Sequence, residues 1–257
     1  MKYKDSLKDK CVIMVDKKIL EAERKHGKWL LENDPVMQWG WGTPAGRLRA
    51  RRRGQLIAQG ANLANDMTVL EIGCGTGLFT EMFSKYGAYI LAVDLSPELL
   101  AAARQRNLPA GQVEFLEAPF ENCDAQGPFD AIIGSSVLHH LDCRKAFAKI
   151  YQLLKPGGAI SFCEPNMLNP QVWFTLHFRQ FFPYVSPDET AFYRKKLGVM
   201  IKDAGFSNIA ITPFDWLHPR VPEKLIPLLK KAEKIIEIVP GIKDLAGSHW
   251  ITAQKPE

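Results

Sequence analysis

The chain has 257 residues, of which 46% are hydrophobic and 24% charged, and its formal net charge at pH 7 is +5. This is the make-up of an ordinary globule, able to bury roughly 70–75% of its unfolded surface in one domain or two. No apolar run approaches the ~18 residues of a membrane-crossing helix, and the charge is too mild to identify nucleic acid as a partner.

The opening Met1-Lys2-Tyr3-Lys4-Asp5 leads into no signal-like apolar segment, so the cytoplasm is the expected compartment. Cysteines 11, 74, 123, 143 and 163 are scattered, with no C-x-x-C pair and no metal-ligand spacing. Reduced thiols are expected, and no metal. Asp16 to Leu31 reads as a helix with a partial apolar stripe through Ile19, Leu20, Leu30 and Leu31. A Gly/Pro-rich, aromatic loop follows over 34–46, then a helix from Arg47 to Asn62.

From Thr68 the pattern alternates. Strands are predicted over Thr68–Ile72, Tyr89–Val93, Val113–Glu117, Asp130–Gly134 and Ala159–Glu164. Helices are predicted over Phe79–Tyr86, Pro97–Arg106 and Asp142–Leu154. Ser96 followed by Pro97 is a helix start, and Lys155-Pro156-Gly157-Gly158 a helix stop. Such alternation predicts a doubly wound α/β sheet. After Glu164 it breaks into an aromatic stretch over 165–190, which includes Trp173, Phe174, Phe178, Phe181, Phe182 and Tyr184. A helix over Glu189–Ala204, a strand over Asn208–Thr212, a second insertion over 213–247 and a strand over His249–Gln254 complete the chain.

The first strand ends in Glu71-Ile72-Gly73-Cys74-Gly75-Thr76-Gly77, and the second in Asp94-Leu95-Ser96. Alternating glycines let the backbone turn sharply and approach a ligand, and an acid at the next strand tip can accept both hydroxyls of a ribose. The G-x-G-x-G spacing differs from the dinucleotide G-x-G-x-x-G, and an acid two residues before the first glycine opposes a pyrophosphate. Two further stretches are Phe129 to Leu141, containing Gly134-Ser135-Ser136-Val137-Leu138-His139-His140, and Leu153-Leu154-Lys155-Pro156-Gly157-Gly158.

In order and spacing these four stretches resemble the class I S-adenosylmethionine (SAM)-dependent methyltransferases, in particular the small-molecule branch that includes quinone-biosynthesis enzymes. The resemblance runs through roughly 47–164 and 189–254. It implies a Rossmann-like seven-stranded sheet whose last strand is antiparallel, with SAM as cofactor. Residues 1–66 would form a helical cap and lid, and 67–257 the SAM-binding domain with substrate-cap insertions at about 165–190 and 213–247. Carried over, Gly73, Cys74, Gly75, Thr76 and Gly77 line the methionine half of SAM, with Glu71 beside it. Asp94 holds the ribose and Leu95 packs on the adenine. Glu117 and Ala118 stand at the adenine amino edge, with Phe120 near the ring, and Ser135 offers its carbonyl to the SAM amino group.

Other residues keep alternatives open. His139, at a strand tip, is a general base or a packed ring. Glu164 orients the substrate, acts as a base, or pins the backbone. His177, Tyr193 and Arg194 are candidate cap residues. The run Arg47, Arg49, Arg51, Arg52 and Arg53 neutralises the SAM carboxylate, meets phosphate, or is a solvated helix face. Lys224 to Val239 is amphipathic, and its stripe covers a core, meets a dimer partner, or lies on an anionic membrane as a peripheral contact. The reading is methyl transfer to a small, apolar or aromatic-bearing molecule, lipid-like ones included. The alternatives are a methyltransferase for nucleic acid or protein, and a non-catalytic SAM-binding protein.

Overall fold

The computed structural model describes residues 17–182, 185–186 and 189–257. Cys11, Asp16 and Tyr184 lie outside the described residues, as do the side chains of Ile19 and Leu20. Seven strands form one sheet: β1 (Thr68–Ile72), β2 (Tyr89–Asp94), β3 (Val113–Glu117), β4 (Phe129–Ser135), β5 (Leu154–Pro165), β6 (Ser207–Phe214) and β7 (Ser248–Gln254). Their order is β3-β2-β1-β4-β5-β7-β6. β1 to β5 run parallel, and β7 lies antiparallel between β5 and β6. Strand order reverses between β1 and β4, so the crevice for a ligand lies beyond the carboxyl ends of those strands.

The helices are α1 (Lys17–Glu32), α2 (Pro35–Gln38), α3 (Pro44–Gly60), α4 (Leu78–Phe83), α5 (Pro97–Ala103), α6 (Cys143–Leu153), α7 (Pro170–His177), α8 (Arg194–Asp203) and α9 (Ile226–Ile236). Core side chains cover both faces of the sheet. Leu70, Ile132, Phe147, Ile160 and Leu197 belong to one cluster, and Ile57, Val69, Phe83, Ile90 and Ile133 to the other. Alternate residues of β1 and β4 thereby point to opposite layers, which is why these strands read as continuous apolar runs.

Several boundaries differ from expectation for local reasons. α3 starts at Pro44, not Arg47, because the Thr43 side chain caps the Gly46 N–H and Pro44 fits the first helical position. The segment before α8 is extended: Met167 N–H donates to Phe192 O and Phe192 N–H to Pro165 O. A parallel bridge between Asn166 and Phe192 ties it to the end of β5, so the helix begins at Arg194 rather than Glu189. β5 already begins at Leu154, paired with Phe129, and the helix-stop tetrapeptide lies within the strand. β6 runs on to Phe214, so the second insertion starts after it.

Candidate active site

The glycine loop is held by backbone bonds that leave one side open. Gly73 N–H and Cys74 N–H both donate to Val93 O, at 2.8 and 3.2 Å. Gly73 has φ 67°, and a Cβ there would stand 2.5 Å from the Val137 side chain, so the chain turns here only because no side chain is present. Asp94, at the tip of β2, clamps the loop. Its Oδ2 accepts from Gly75 N–H at 2.7 Å and its Oδ1 from Ser96 N–H at 2.9 Å. A carboxylate offers about four acceptor positions, so this clamp is compatible with a diol on the same group. The Trp39 ring lies over the loop, 3.4 Å from where a Cβ of Gly75 would stand. Cys74 is buried in the turn, and burial, with the Asp94 charge adding to it, pushes its thiol well above the ordinary range. That makes it a packing residue, not a nucleophile.

The loop opens into a cavity of about 900 Å³, toward the upper end of small-molecule sites. Of the expected cofactor residues, Gly73, Cys74, Gly75 and Thr76 line it from β1, and Asp94 and Leu95 from β2. Ala118 and Phe120 line it after β3, and Ser135 at the end of β4. Three do not reach the wall. Gly77 serves as the left-handed N-cap of α4. Glu117 makes a half-exposed pair with Arg24, 3.5 Å apart. Glu71 is only 2% exposed, and burial pushes its carboxyl up to about 8, against the easing effect of the Thr80 hydroxyl. Burial thus works against its charged form, which weakens the charge-based exclusion of pyrophosphate expected of it.

His139 and Glu164, separate candidates in the sequence, are brought together because β4 and β5 are neighbours. Glu164 is fully buried. Its Oε1 accepts from Val137 N–H and Leu138 N–H, each at 2.9 Å, and its Oε2 lies 2.6 Å from His139 Nδ1. Burial pushes this carboxyl up, but the His139 ring and the two backbone N–H groups hold it below the ordinary carboxylate range. An ionised carboxylate only accepts, which assigns the proton to Nδ1 and leaves His139 Nε2 as the basic nitrogen of the neutral ring. His139 lines the cavity and Glu164 does not, so Glu164 is a positioning residue. Glu189 Oε1 stands 3.9 Å from His139 Nε2, and Thr190 Oγ1 donates to His139 O at 3.1 Å.

The arginine run is folded inward. Arg49 makes a bidentate pair with Asp215, at 2.8 and 2.6 Å. Arg52 holds both oxygens of Glu237 at 2.7 Å and Glu233 at 2.7 Å. Arg53 is buried, donates to Ser136 Oγ at 2.9 Å and to Cys163 O at 3.2 Å, and lies 3.8 Å from Asp215. These three are bound within the fold, which removes most of the basic face on which a phosphate-binding reading rests. Arg49 and Arg53 line the cavity, and Arg53 Nε has no hydrogen-bond partner among the described residues. Sequence reasoning missed Asp215, whose acid is isolated in the chain and sits at φ 81°. His177, Tyr193 and Arg194 are absent from the cavity wall; His177 stacks on Trp173, and Arg194 pairs with Asp244 at 3.2 Å.

Among the described residues no helix is long and apolar enough to cross a membrane. Residues 70–162 match the family model described as a methyltransferase domain. A ubiquinone biosynthesis O-methyltransferase of Xylella fastidiosa (strain 9a5c) is 40% identical over 96 residues, 36% of this chain and 39% of the relative. The matched stretch is thus about two fifths of that relative's length. Among solved structures, a Thermotoga maritima SAM-dependent methyltransferase superposes with a TM-score of 0.63 at 18% identity, covering 92% of this chain and 99% of that one. The N-methyltransferase NodS of Bradyrhizobium japonicum, solved with S-adenosyl-L-homocysteine, superposes at 0.62 with 17% identity, covering 91% and 98%.

Proposed function

We propose that this chain, whose residues 70–162 match a methyltransferase domain, is a class I SAM-dependent methyltransferase that moves the methyl group of SAM to a small, apolar or aromatic-bearing molecule in the cavity. One observation supports this reading: the glycine loop, Asp94, Arg53 and His139 all meet one cavity. The donor set fits SAM. Asp94 suits the ribose diol, and Leu95, Ala118 and Phe120 offer apolar contacts for the adenine. The glycine loop approaches the methionine half, and Arg53, with its unsatisfied Nε, suits the carboxylate. The likeness to an O-methyltransferase over the shared stretch supports an oxygen acceptor.

When bound, SAM supplies a methyl carbon activated by a sulfonium. The protein's part is alignment and exclusion of water. Trp39 and Trp41 line the cavity from the segment before α3, and Phe174 and Trp216 from the two insertions, which supports a lid built from these three stretches. His139 Nε2 would take the proton that the acceptor hydroxyl gives up on methylation. Glu164 steadies the cationic ring through Nδ1.

Calorimetric titration of SAM, its demethylated product and NAD, with Asp94→Ala as control, tests this. Expected is binding of the first two and not NAD, weakened by roughly tenfold or more in Asp94→Ala. No SAM binding, or binding indifferent to Asp94→Ala, overturns the reading. Incubation of cell extract with methyl-labelled SAM then reports the acceptor class. Label confined to RNA or protein refutes the small-molecule assignment.

A further inference from the structure

The amphipathic segment faces the wrong way for a core helix. On α9, Leu228 and Ile235 are 65% and 63% exposed, and Leu229 and the N-cap residue Leu225 are also exposed. The buried positions are Ile226 and Glu233. The helix is docked by charge: Arg52 grips Glu233 and Glu237, and Trp216 N–H donates to Glu233 Oε1 at 3.2 Å. The acids are therefore consumed inward while the apolar stripe faces out, flanked by exposed Lys224, Lys231 and Lys234. Glu223 is the one exposed acid of the segment 221–239.

Exposed apolar residues continue beyond α9. The chain leaves α9 through Ile238, 75% exposed, and through exposed Ile242 and Leu245. Asn169, the N-cap of α7, donates to Leu245 O at 2.8 Å and so fixes α7 beside that turn. α7 and the turn after it add exposed Trp173, Phe178 and Phe181. Val172, Phe174 and Thr175 of the same helix line the cavity. α7 thus carries both exposed apolar side chains and part of the wall of the candidate active site.

We infer that this face docks on an anionic membrane and that the acceptor is an amphiphile taken from it. Apolar side chains interleaved with lysines, with tryptophan among them, suit the boundary between headgroups and acyl chains. A symmetric pairing of two copies over α9 would set the same lysines against one another, which like-charge repulsion opposes. The uptake of the acceptor rests on the proposed methyl transfer; the docking does not.

Flotation of the full chain with vesicles separates these claims, because it requires neither SAM nor turnover. Expected is binding to vesicles of equal parts phosphatidylcholine and phosphatidylglycerol, and little to phosphatidylcholine alone. Leu228→Glu/Ile235→Glu and Lys224→Glu/Lys231→Glu/Lys234→Glu should each lower the partition coefficient by about tenfold or more. Thermal melting of both variants confirms that they fold, which is expected because these side chains are exposed. Failure to float with anionic vesicles overturns the inference. So does flotation that neither variant alters. A dimer seen by sedimentation velocity that Leu228→Glu/Ile235→Glu dissolves, without vesicle binding, assigns the face to a second copy instead.

Discussion

Glu164→Gln isolates what the buried carboxylate does for His139. The native group accepts three hydrogen bonds, two from backbone N–H groups and one from His139 Nδ1. Glutamine keeps one oxygen, which can still accept from Val137 and Leu138. Its amide nitrogen then faces Nδ1 as a donor, so the His139 proton must move to Nε2. Nε2, the nitrogen assigned as the base, becomes a donor and cannot take a proton. Three charge-assisted bonds, at roughly 1.5–3 kcal/mol each, become neutral ones of about 1 kcal/mol, and the relief of a buried charge offsets part of the loss. A net destabilisation of about 1–3 kcal/mol is expected. Glu164→Ala leaves two buried N–H groups unsatisfied and opens a void, for a loss of about 4–6 kcal/mol. Urea unfolding measures both, and ¹⁵N spectra of histidine-labelled protein report which ring nitrogen carries the proton. The native carboxyl lies below its ordinary range when folded, so its stabilisation is present above the unfolded value of 4.5 and is lost as pH falls through the folded value. Glu164→Gln lacks that acid-side loss. A variant that keeps the proton on Nδ1, or that unfolds as readily as Glu164→Ala, refutes the assigned roles.

Glu71→Gln should flatten a different pH slope. The folded carboxyl sits at about 8 against an ordinary value of 4.5, so the folded state binds the extra proton between these values. Wild-type stability then falls as pH rises through that window, by up to about 1.4 kcal/mol per pH unit, and the glutamine variant shows no such fall in urea unfolding. Gly73→Ala should destabilise by about 2–4 kcal/mol, through a left-handed backbone and the 2.5 Å approach to Val137. Adding Val137→Ala should recover the steric part in thermal melts. Arg53→Met should weaken SAM binding by roughly 30–100-fold in calorimetry while leaving adenosine binding unchanged, because only SAM carries the carboxylate.

What was legible in the sequence follows from how local each constraint is. The glycine loop, the Ser96–Pro97 cap and Asp94 are set by backbone geometry within a few residues, and the structure has them where the spacing puts them. His139 and Glu164 could each be read as strand-end residues. Their pairing depends on two strands lying side by side and on one rotamer at each, which no local pattern encodes. The start of α8 was misplaced because residues 189–193 have no local bar to helix; a distant bridge to Asn166 decides the matter. The stripe on α9 has the expected periodicity, yet periodicity does not say which face turns inward. Here two glutamates on the opposite side found an arginine, and the ion pairs set the rotation of the helix.

That arginine belongs to the feature whose physical meaning changed most. Five basic residues in seven positions read locally as a charged surface. In the fold, three of them meet acids or hydroxyls far along the chain: Arg49 meets Asp215, Arg52 meets Glu233 and Glu237, and Arg53 meets Ser136 and Ser248. Buried charges persist only when paired and hydrogen-bonded, so each partner is needed where it stands. The consequence is mechanical. α3 lies against the sheet through Ile57 and Ala58, presents Arg49 and Arg53 to the cavity, and carries α9 on Arg52.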